Sequence, residues 1–128
     1  MIPAVDLYNT SYSQYAQQTY KDVRRETYGT DLGQSSWMSA EEFHSFFGLL
    51  GLTQHSNVLE VGCGAGGCAL HLVATLGAMV TGIDINQNGI HTARNLAVSA
   101  NLASLARFEH IDAAKALPFP DDFFDAIY

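Results

Sequence analysis

Four glycines follow a glutamate within one short run of this chain, from Glu60 to Gly67. Apolar residues precede the run, and a further apolar stretch, residues 69–76, comes after it. This order is typical of a buried strand, a glycine-rich turn and a helix packed on the sheet. Glycine in such a turn allows positive φ angles and lets a bound ligand lie close to the backbone. The run therefore predicts a site for a nucleotide-containing ligand.

The same glycines fit a second kind of site. Gly62, Gly64 and Gly67 match the pattern G-x-G-x-x-G, and Asp84 follows about 20 residues later. That combination is typical of proteins that bind nicotinamide or flavin dinucleotides, in which the turn holds a pyrophosphate. The glycines alone leave open whether the chain is an NAD-dependent oxidoreductase.

The carboxylate of Glu60 distinguishes between these interpretations. It lies at the end of a strand that we expect to be buried on both faces, where an ionised side chain is costly unless it meets a cation or hydrogen-bond donors. A carboxylate beneath the turn repels a pyrophosphate, whereas it attracts the ammonium and sulfonium groups of S-adenosylmethionine. Glu60 therefore favours that cofactor, although a cap on the turn amides or a pair with a nearby base also explains its position.

Two more apolar runs end in acids. Residues 80–85 predict a second buried strand, in which Asp84 is placed to accept hydrogen bonds from both hydroxyls of a ribose. Residues 107–113 predict a third strand, in which Asp112 is placed to accept from the exocyclic amine of adenine. Each aspartate also fits a simpler role, as the cap of a turn or of a following helix.

Four segments together resemble a known family. Residues 59–66, 82–85, 112–113 and 117–127 are similar to four successive motifs of the class I S-adenosylmethionine-dependent methyltransferases, in the family's order and at its spacing. The resemblance extends from about Asn57 to the last residue, and it favours the small-molecule type. It implies S-adenosylmethionine as cofactor, methyl transfer as the reaction, and a small-molecule acceptor, with amines among the candidates.

The resemblance also implies roles for single residues. The glycine turn lies along the methionine part of the cofactor, with Glu60 beneath it. Asp84 takes the ribose and Ile85 packs on the adenine. Asp112 and Ala113 read the edge of the base. The candidate cofactor-binding residues are Glu60, Gly62, Cys63, Gly64, Ala65, Gly66, Asp84, Ile85, Asp112, Ala113 and Trp37. No catalytic residue is assigned, because the family's acceptor site usually lies beyond the fourth strand.

The resemblance and the order of elements predict an α/β fold of the Rossmann-like kind, a three-layer sandwich around a parallel sheet with strand order 3-2-1-4. We expect a single domain, with residues 1–50 as a helical cap and residues 51–128 as the cofactor-binding core. Each strand-helix repeat takes roughly 25 to 30 residues, so only four of the family's seven strands fit. We therefore expect a domain truncated after the fourth strand, whose exposed edge at residues 123–128 favours a homodimer. A non-catalytic cofactor-binding or assembly module is the alternative.

The first 50 residues differ from the rest because tyrosines recur along a polar segment. Tyrosine suits the wall of a small-molecule pocket, although these rings equally suit attachment of a helix to the core. Trp37 lies in a stretch similar to one that folds over the cofactor in related enzymes, so we expect it to touch the ligand. Ser39 and Glu42 form a capping box and begin a helix that packs on the sheet. The apolar face of that helix consists of Phe43, Phe46, Phe47 and Leu50.

Composition excludes several function classes. A net charge of -7, with six lysines and arginines, disfavours a nucleic-acid partner. The chain has neither a basic start followed by an apolar core nor an apolar run of membrane-spanning length, so we expect a cytoplasmic protein that binds no membrane. Its two cysteines form no zinc-binding pair and its five histidines have no ligand spacing, so we expect no metal site.

Overall fold

Helices and parallel strands alternate along the chain. The computed structural model describes residues 12, 14, 15, 17–33 and 38–128. The elements within these ranges, in chain order, are α1 (Gln18–Tyr28), α2 (Ala40–Leu49), β1 (Asn57–Val61), α3 (Gly67–Leu76), β2 (Met79–Asp84), α4 (Gln87–Ser99), β3 (Ala106–His110) and β4 (Ala126–Ile127).

The sheet has the order β3-β2-β1-β4, and all three strand pairs are parallel. This confirms the predicted α/β fold and strand order. Although β4 is short, its pairing with β1 continues past Ile127 to Tyr128. The Tyr128 amide donates to the Leu59 carbonyl at 3.0 Å, and the Val61 amide donates to the Tyr128 carbonyl at 2.8 Å. The carboxyl ends of β1, β2 and β4 therefore meet at one edge of the sheet, where ligands bind in folds of this kind.

Three helices cover one face of this sheet. Val58, Val80 and Phe108 belong to a single buried cluster with residues of α2, α3 and α4. Because side chains alternate across a strand, these strand residues share one face. Leu59 and Ile83, which point to the opposite face, are also fully buried. The described residues thus supply two of the three predicted layers, and a helical layer on the opposite face stays a prediction.

The capping box at the start of α2 is confirmed. The Glu42 amide donates to the Ser39 hydroxyl at 3.2 Å, and the Ser39 amide donates to the Glu42 carboxylate at 2.9 Å. Phe43 and Phe47 are buried in the core cluster. The predicted apolar face is wrong at its other two positions, because Phe46 and Leu50 are 43% and 40% exposed. The helix therefore packs through a face narrower than the sequence indicates.

The third strand ends earlier than predicted. Its ladder with β2 ends at His110, and the following residues, including Asp112 and Ala113, lie in a loop. The apolar Ile111 extends the sequence pattern, and its amide donates one last hydrogen bond to the Asp84 carbonyl at 3.0 Å. Asp112 therefore approaches the sheet edge from a loop.

No helix in the described ranges combines the length and the apolar composition needed to cross a bilayer. The same residues contain no group of three or more metal-binding side chains.

Gly66 is needed for packing. It has φ +81, and a Cβ built on it would lie 2.8 Å from both the Ala93 Cβ and the Phe108 ring. Gly51 has a similar φ of +63, but nothing lies within 4 Å of its built Cβ. The two glycines therefore share the backbone constraint and differ only in the space available.

We expect Gly66→Ala to destabilise the fold by about 1 to 3 kcal/mol more than Gly51→Ala, because overpacking adds to the common cost of a left-handed alanine. Urea denaturation followed by circular dichroism measures both variants. Equal losses of stability would mean that the core around Phe108 can accommodate the extra methyl group.

Candidate functional site

A cavity of about 800 Å³ opens at the carboxyl ends of β1 and β2. It gathers residues that the sequence separates by more than 50 positions, since the carboxyl ends of the four described strands meet there. Nine of the eleven predicted cofactor-binding residues line it, namely Glu60, Gly62, Cys63, Gly64, Ala65, Asp84, Ile85, Asp112 and Ala113. The sequence thus predicts most of this wall of the site.

The other two predicted residues stand apart. Gly66 does not line the cavity, and it faces Ala93 and Phe108 in the core. Its neighbours Gly67 and Cys68 line the cavity in its place. Trp37 lies outside the described residues, so its predicted contact with the ligand stays a prediction.

Glu60 is the most unusual side chain of the site. It is 8% exposed, and its Oε2 atom has no hydrogen-bond partner in the described structure. Burial raises its pKa to about 8, although the Tyr128 hydroxyl and the Ala69 amide act in the opposite direction. The Tyr128 hydroxyl also lacks a hydrogen bond of ordinary geometry. Buried polar atoms are nearly always paired. A ligand with a hydrogen-bond donor therefore suits the part of the cavity beside Glu60.

The Asp84 carboxylate joins two segments of the site. Its Oδ2 atom accepts from the Gly64 amide at 2.8 Å, and its Oδ1 atom accepts from the Asn86 amide at 2.7 Å. A carboxylate has about four acceptor positions, so both oxygens can still receive hydrogen bonds from a ligand. Asp84 therefore fixes the glycine turn and also presents acceptors to the cavity.

Most amides of the glycine turn are already engaged within the protein. The Gly62 and Cys63 amides donate to the Ile83 carbonyl at 2.8 and 3.0 Å, and the Gly66 amide donates to the Cys63 carbonyl at 2.9 Å. Together with the Gly64 amide on Asp84, these bonds engage four amides of the turn within the protein. They hold the glycine turn against the end of β2.

The far end of the cavity is open and partly apolar. Ile85 is 66% exposed although it follows directly on β2. Asp112 accepts from the Ala114 amide at 3.0 Å and lies 3.6 Å from the Lys115 ammonium. Ile85 thus offers an apolar surface, and Asp112 a carboxylate, to the same cavity.

The two cysteines are ordinary protonated thiols. Burial raises the pKa of Cys63, and it raises the pKa of Cys68 to about 12. Neither thiol is therefore a nucleophile at neutral pH. Cys63 acts as a small residue of the cavity wall.

The charge of the cavity wall has one sign. The carboxylates of Asp84 and Asp112 line it, Glu60 is mostly protonated at pH 7, and the described lining contains no lysine, arginine or histidine. Such a wall attracts cationic ligands and repels anionic ones.

The lining residues that sequence reasoning missed include Tyr12, Gly33 and Tyr128. Tyr12 is one of several tyrosines, and nothing local distinguishes it from the others. Gly33 comes close to the turn only through tertiary packing. Tyr128 had a usable signal, because it follows the strand beside β1 and the carboxyl ends of parallel strands lie together.

Known proteins resemble this chain in both sequence and fold. Residues 58–128, more than half of the chain, match the protein family described as "Methyltransferase domain". The sterol 24-C-methyltransferase ERG6B of Gibberella zeae is 34% identical over 125 residues, which make up 98% of this chain and 30% of that protein. The fatty-acid O-methyltransferase of Mycolicibacterium smegmatis is 48% identical over 71 residues, 55% of this chain and 24% of that protein. The chain thus spans less than a third of the length of either relative.

A solved structure has the same fold. The chain matches a SAM-dependent methyltransferase from Thiobacillus denitrificans, in complex with S-adenosyl-L-homocysteine, with a TM-score of 0.64. The match covers 82% of this chain and 41% of the other at 24% identity, which is evidence for the fold alone.

Proposed function

Since this chain belongs to the methyltransferase domain family, we propose that it binds S-adenosylmethionine and supplies the cofactor-binding part of an enzyme that methylates a small molecule. The relatives are named as methyltransferases, and the structural relative holds S-adenosyl-L-homocysteine. The activity of the whole protein is part of this proposal, because the chain corresponds to only a portion of each relative.

One observation supports this cofactor against a dinucleotide: the buried Oε2 atom of Glu60 at the cavity wall, which has no hydrogen bond of ordinary geometry. An ammonium group donates to that oxygen and favours the carboxylate form of Glu60, whereas a phosphate offers the oxygen no donor and opposes its ionisation.

Different residues are assigned to three parts of the cofactor: the methionine portion, the ribose and the adenine. Glu60, beside the glycine turn, would hold the ammonium group of the methionine portion. Asp84 would accept from the ribose hydroxyls while it keeps its two bonds to backbone amides. The loop around Asp112, together with Ile85, would hold the adenine at the open end of the cavity.

The acceptor that suits this wall is neutral or cationic. One relative is named for a fatty acid and another for a sterol. The described cavity wall has the carboxylates of Asp84 and Asp112 and no cation, so a carboxylate acceptor would be repelled. We place amines first among the acceptors and sterol-like neutral molecules second.

The bound cofactor supplies an electrophilic methyl group on a sulfonium. This chain contributes position and exclusion of water, and holding reactants in line can account for about 7 to 11 kcal/mol of barrier lowering. An amine acceptor needs only a proton sink, whereas a hydroxyl needs a positioned base. No described residue is assigned as that base.

Transfer of labelled methyl groups tests this function. We expect label from S-adenosylmethionine to enter a long-chain amine, or a sterol, in preference to a carboxylic acid with the same hydrocarbon chain. Label found only in the acid would contradict the charge argument. Cofactor binding without transfer to any acceptor would favour the non-catalytic module.

Three expectations from the sequence stay predictions: a cytoplasmic location, a homodimer through residues 123–128, and a single domain with a cap at residues 1–50. The proposed function does not depend on them, since the cofactor contacts lie within one chain.

A further inference from the structure

A buried ion pair joins α1 to the loop that follows it. Arg24 Nε lies 2.7 Å from Asp31 Oδ1, and Arg24 Nη2 lies 3.3 Å from Asp31 Oδ2. The two side chains are only 11% and 14% exposed. Burial by itself would raise the pKa of Asp31, but hydrogen bonds from Arg24 and the Gly33 amide, together with the arginine's charge, hold that pKa below its ordinary value. The carboxylate is therefore ionised at neutral pH.

The ion pair between Arg24 and Asp31 also holds Tyr15 and Gly33 in place. Arg24 Nη1 donates to the Tyr15 carbonyl at 3.1 Å, and the guanidinium carbon lies 4.2 Å from the centre of the Tyr15 ring. Asp31 Oδ1 accepts from the Gly33 amide at 2.8 Å. The Tyr15 hydroxyl in turn donates to the Gly33 carbonyl at 2.7 Å. Four residues thus form one closed network, whose bonds hold Gly33 from both sides.

This network lies directly behind the glycine turn. A Cβ on Gly67 would overlap the carbonyl of Gly33, so the two backbones are in close contact. Tyr12, three residues before Tyr15, places its ring so close to Gly64 that a Cβ there would also overlap it. Tyr12, Tyr15 and Ala65 form a small buried cluster. The network therefore reaches the turn at both ends, through Tyr12 at Gly64 and through Gly33 at Gly67.

We propose that Arg24 and Asp31 are positioning residues for the cofactor site, which hold Tyr12 and Gly33 against the glycine turn and so complete one wall of the cavity. Neither residue lines the cavity itself, whereas Tyr12 and Gly33 both do. Only the choice of ligand for the test below rests on the proposed function.

The chain contains a matched control. Asp22, also on α1, lies 3.5 Å from Arg25, and both side chains are 60% exposed. Asp22→Asn and Asp31→Asn each remove one carboxylate charge beside an arginine of the same helix. An exposed pair contributes little, so only the second substitution should disturb the turn.

Hydrogen exchange of the glycine-turn amides gives a readout without ligand. We expect faster exchange at residues 62–69 in Asp31→Asn and wild-type exchange in Asp22→Asn. With S-adenosylhomocysteine, calorimetry should give about tenfold weaker binding for Asp31→Asn and unchanged binding for Asp22→Asn. Wild-type exchange and affinity in Asp31→Asn would overturn the proposal.

Asp31→Asn leaves the Arg24 charge buried and unpaired, which can unfold a protein. The double variant Arg24→Met with Asp31→Asn removes that charge but does not restore the network. A positioning role predicts recovered thermal stability with weak binding and fast exchange at residues 62–69. Recovery of stability, binding and slow exchange together would mean that the pair is merely structural. If the wild-type chain does not bind S-adenosylhomocysteine, the proposed function fails, and the exchange comparison still decides the role of the pair.

Discussion

Asp84→Ala is expected to weaken the binding of S-adenosylhomocysteine by about 100-fold or more. The substitution removes the acceptors that we assign to the ribose, and hydrogen bonds to a charged group contribute about 1.5 to 3 kcal/mol each. It also removes the acceptor of the Gly64 amide, at 2.8 Å, so the glycine turn loses its link to the end of β2. Isothermal titration measures the change directly.

A second aspartate separates ligand contact from general damage to the sheet. Asp125 also accepts a backbone amide, that of Asn57 at 2.7 Å, but it does so at the opposite end of β1. Asp125→Ala should leave the affinity within roughly twofold of wild type, since distant sites act independently. Equal affinities of Asp84→Ala and Asp125→Ala for S-adenosylhomocysteine would mean that Asp84 does not contact the ligand.

Glu60→Gln is expected to abolish a proton release that accompanies binding. Burial raises the pKa of Glu60 to about 8, so the side chain is mostly protonated at pH 7 before a ligand binds. A ligand ammonium beside it favours the carboxylate, so binding at pH 7 should release close to one proton. The affinity of the wild-type chain should then rise by up to about tenfold per pH unit below pH 8.

Glutamine keeps the shape of Glu60 but cannot ionise. We expect Glu60→Gln to bind S-adenosylhomocysteine about 10 to 100-fold more weakly at pH 8, with no proton release and a flat pH profile. Titration in two buffers with different ionisation enthalpies counts the protons. Glu109→Gln is the control, because Glu109 lies on β3 and does not line the cavity. Proton release that persists in Glu60→Gln would assign the titration to another group.

The same pKa predicts that the stability of the protein without ligand depends on pH. The folded-state pKa of Glu60 is raised above the ordinary 4.5, so the protonated side chain stabilises the fold. This contribution is present in full below about pH 4.5 and is lost as the pH rises through about 8. Wild type should therefore lose stability over this range relative to Glu60→Gln.

The sequence predicts the strands and their acids because both follow from local pattern. Buried parallel strands are continuous apolar runs, and an acid at the end of such a run must lie at the ligand-binding edge. Glu60 and Asp84 satisfy both conditions, and both line the cavity. The sequence predicts Asp112 on a strand because the apolar Ile111 prolongs the pattern, although the ladder already ends at His110.

Tertiary contacts decide the rest of the site. Gly66 and Gly67 are equivalent in sequence, and only the positions of Ala93 and Phe108 determine that Gly66 faces the core. Likewise, nothing near Tyr12 or Gly33 indicates that they meet the glycine turn, because their contacts depend on the network around Arg24. Residues that position the cavity wall without lining it have no local sequence pattern that identifies them.

The most direct test is isothermal titration of the unmodified chain with S-adenosylhomocysteine, and separately with NADH, at pH 8. The proposed site predicts saturable binding of one S-adenosylhomocysteine per chain and no heat of binding with NADH. Saturable binding of NADH, with none of S-adenosylhomocysteine, would contradict the role given to Glu60. The glycine turn would then be a dinucleotide-binding turn.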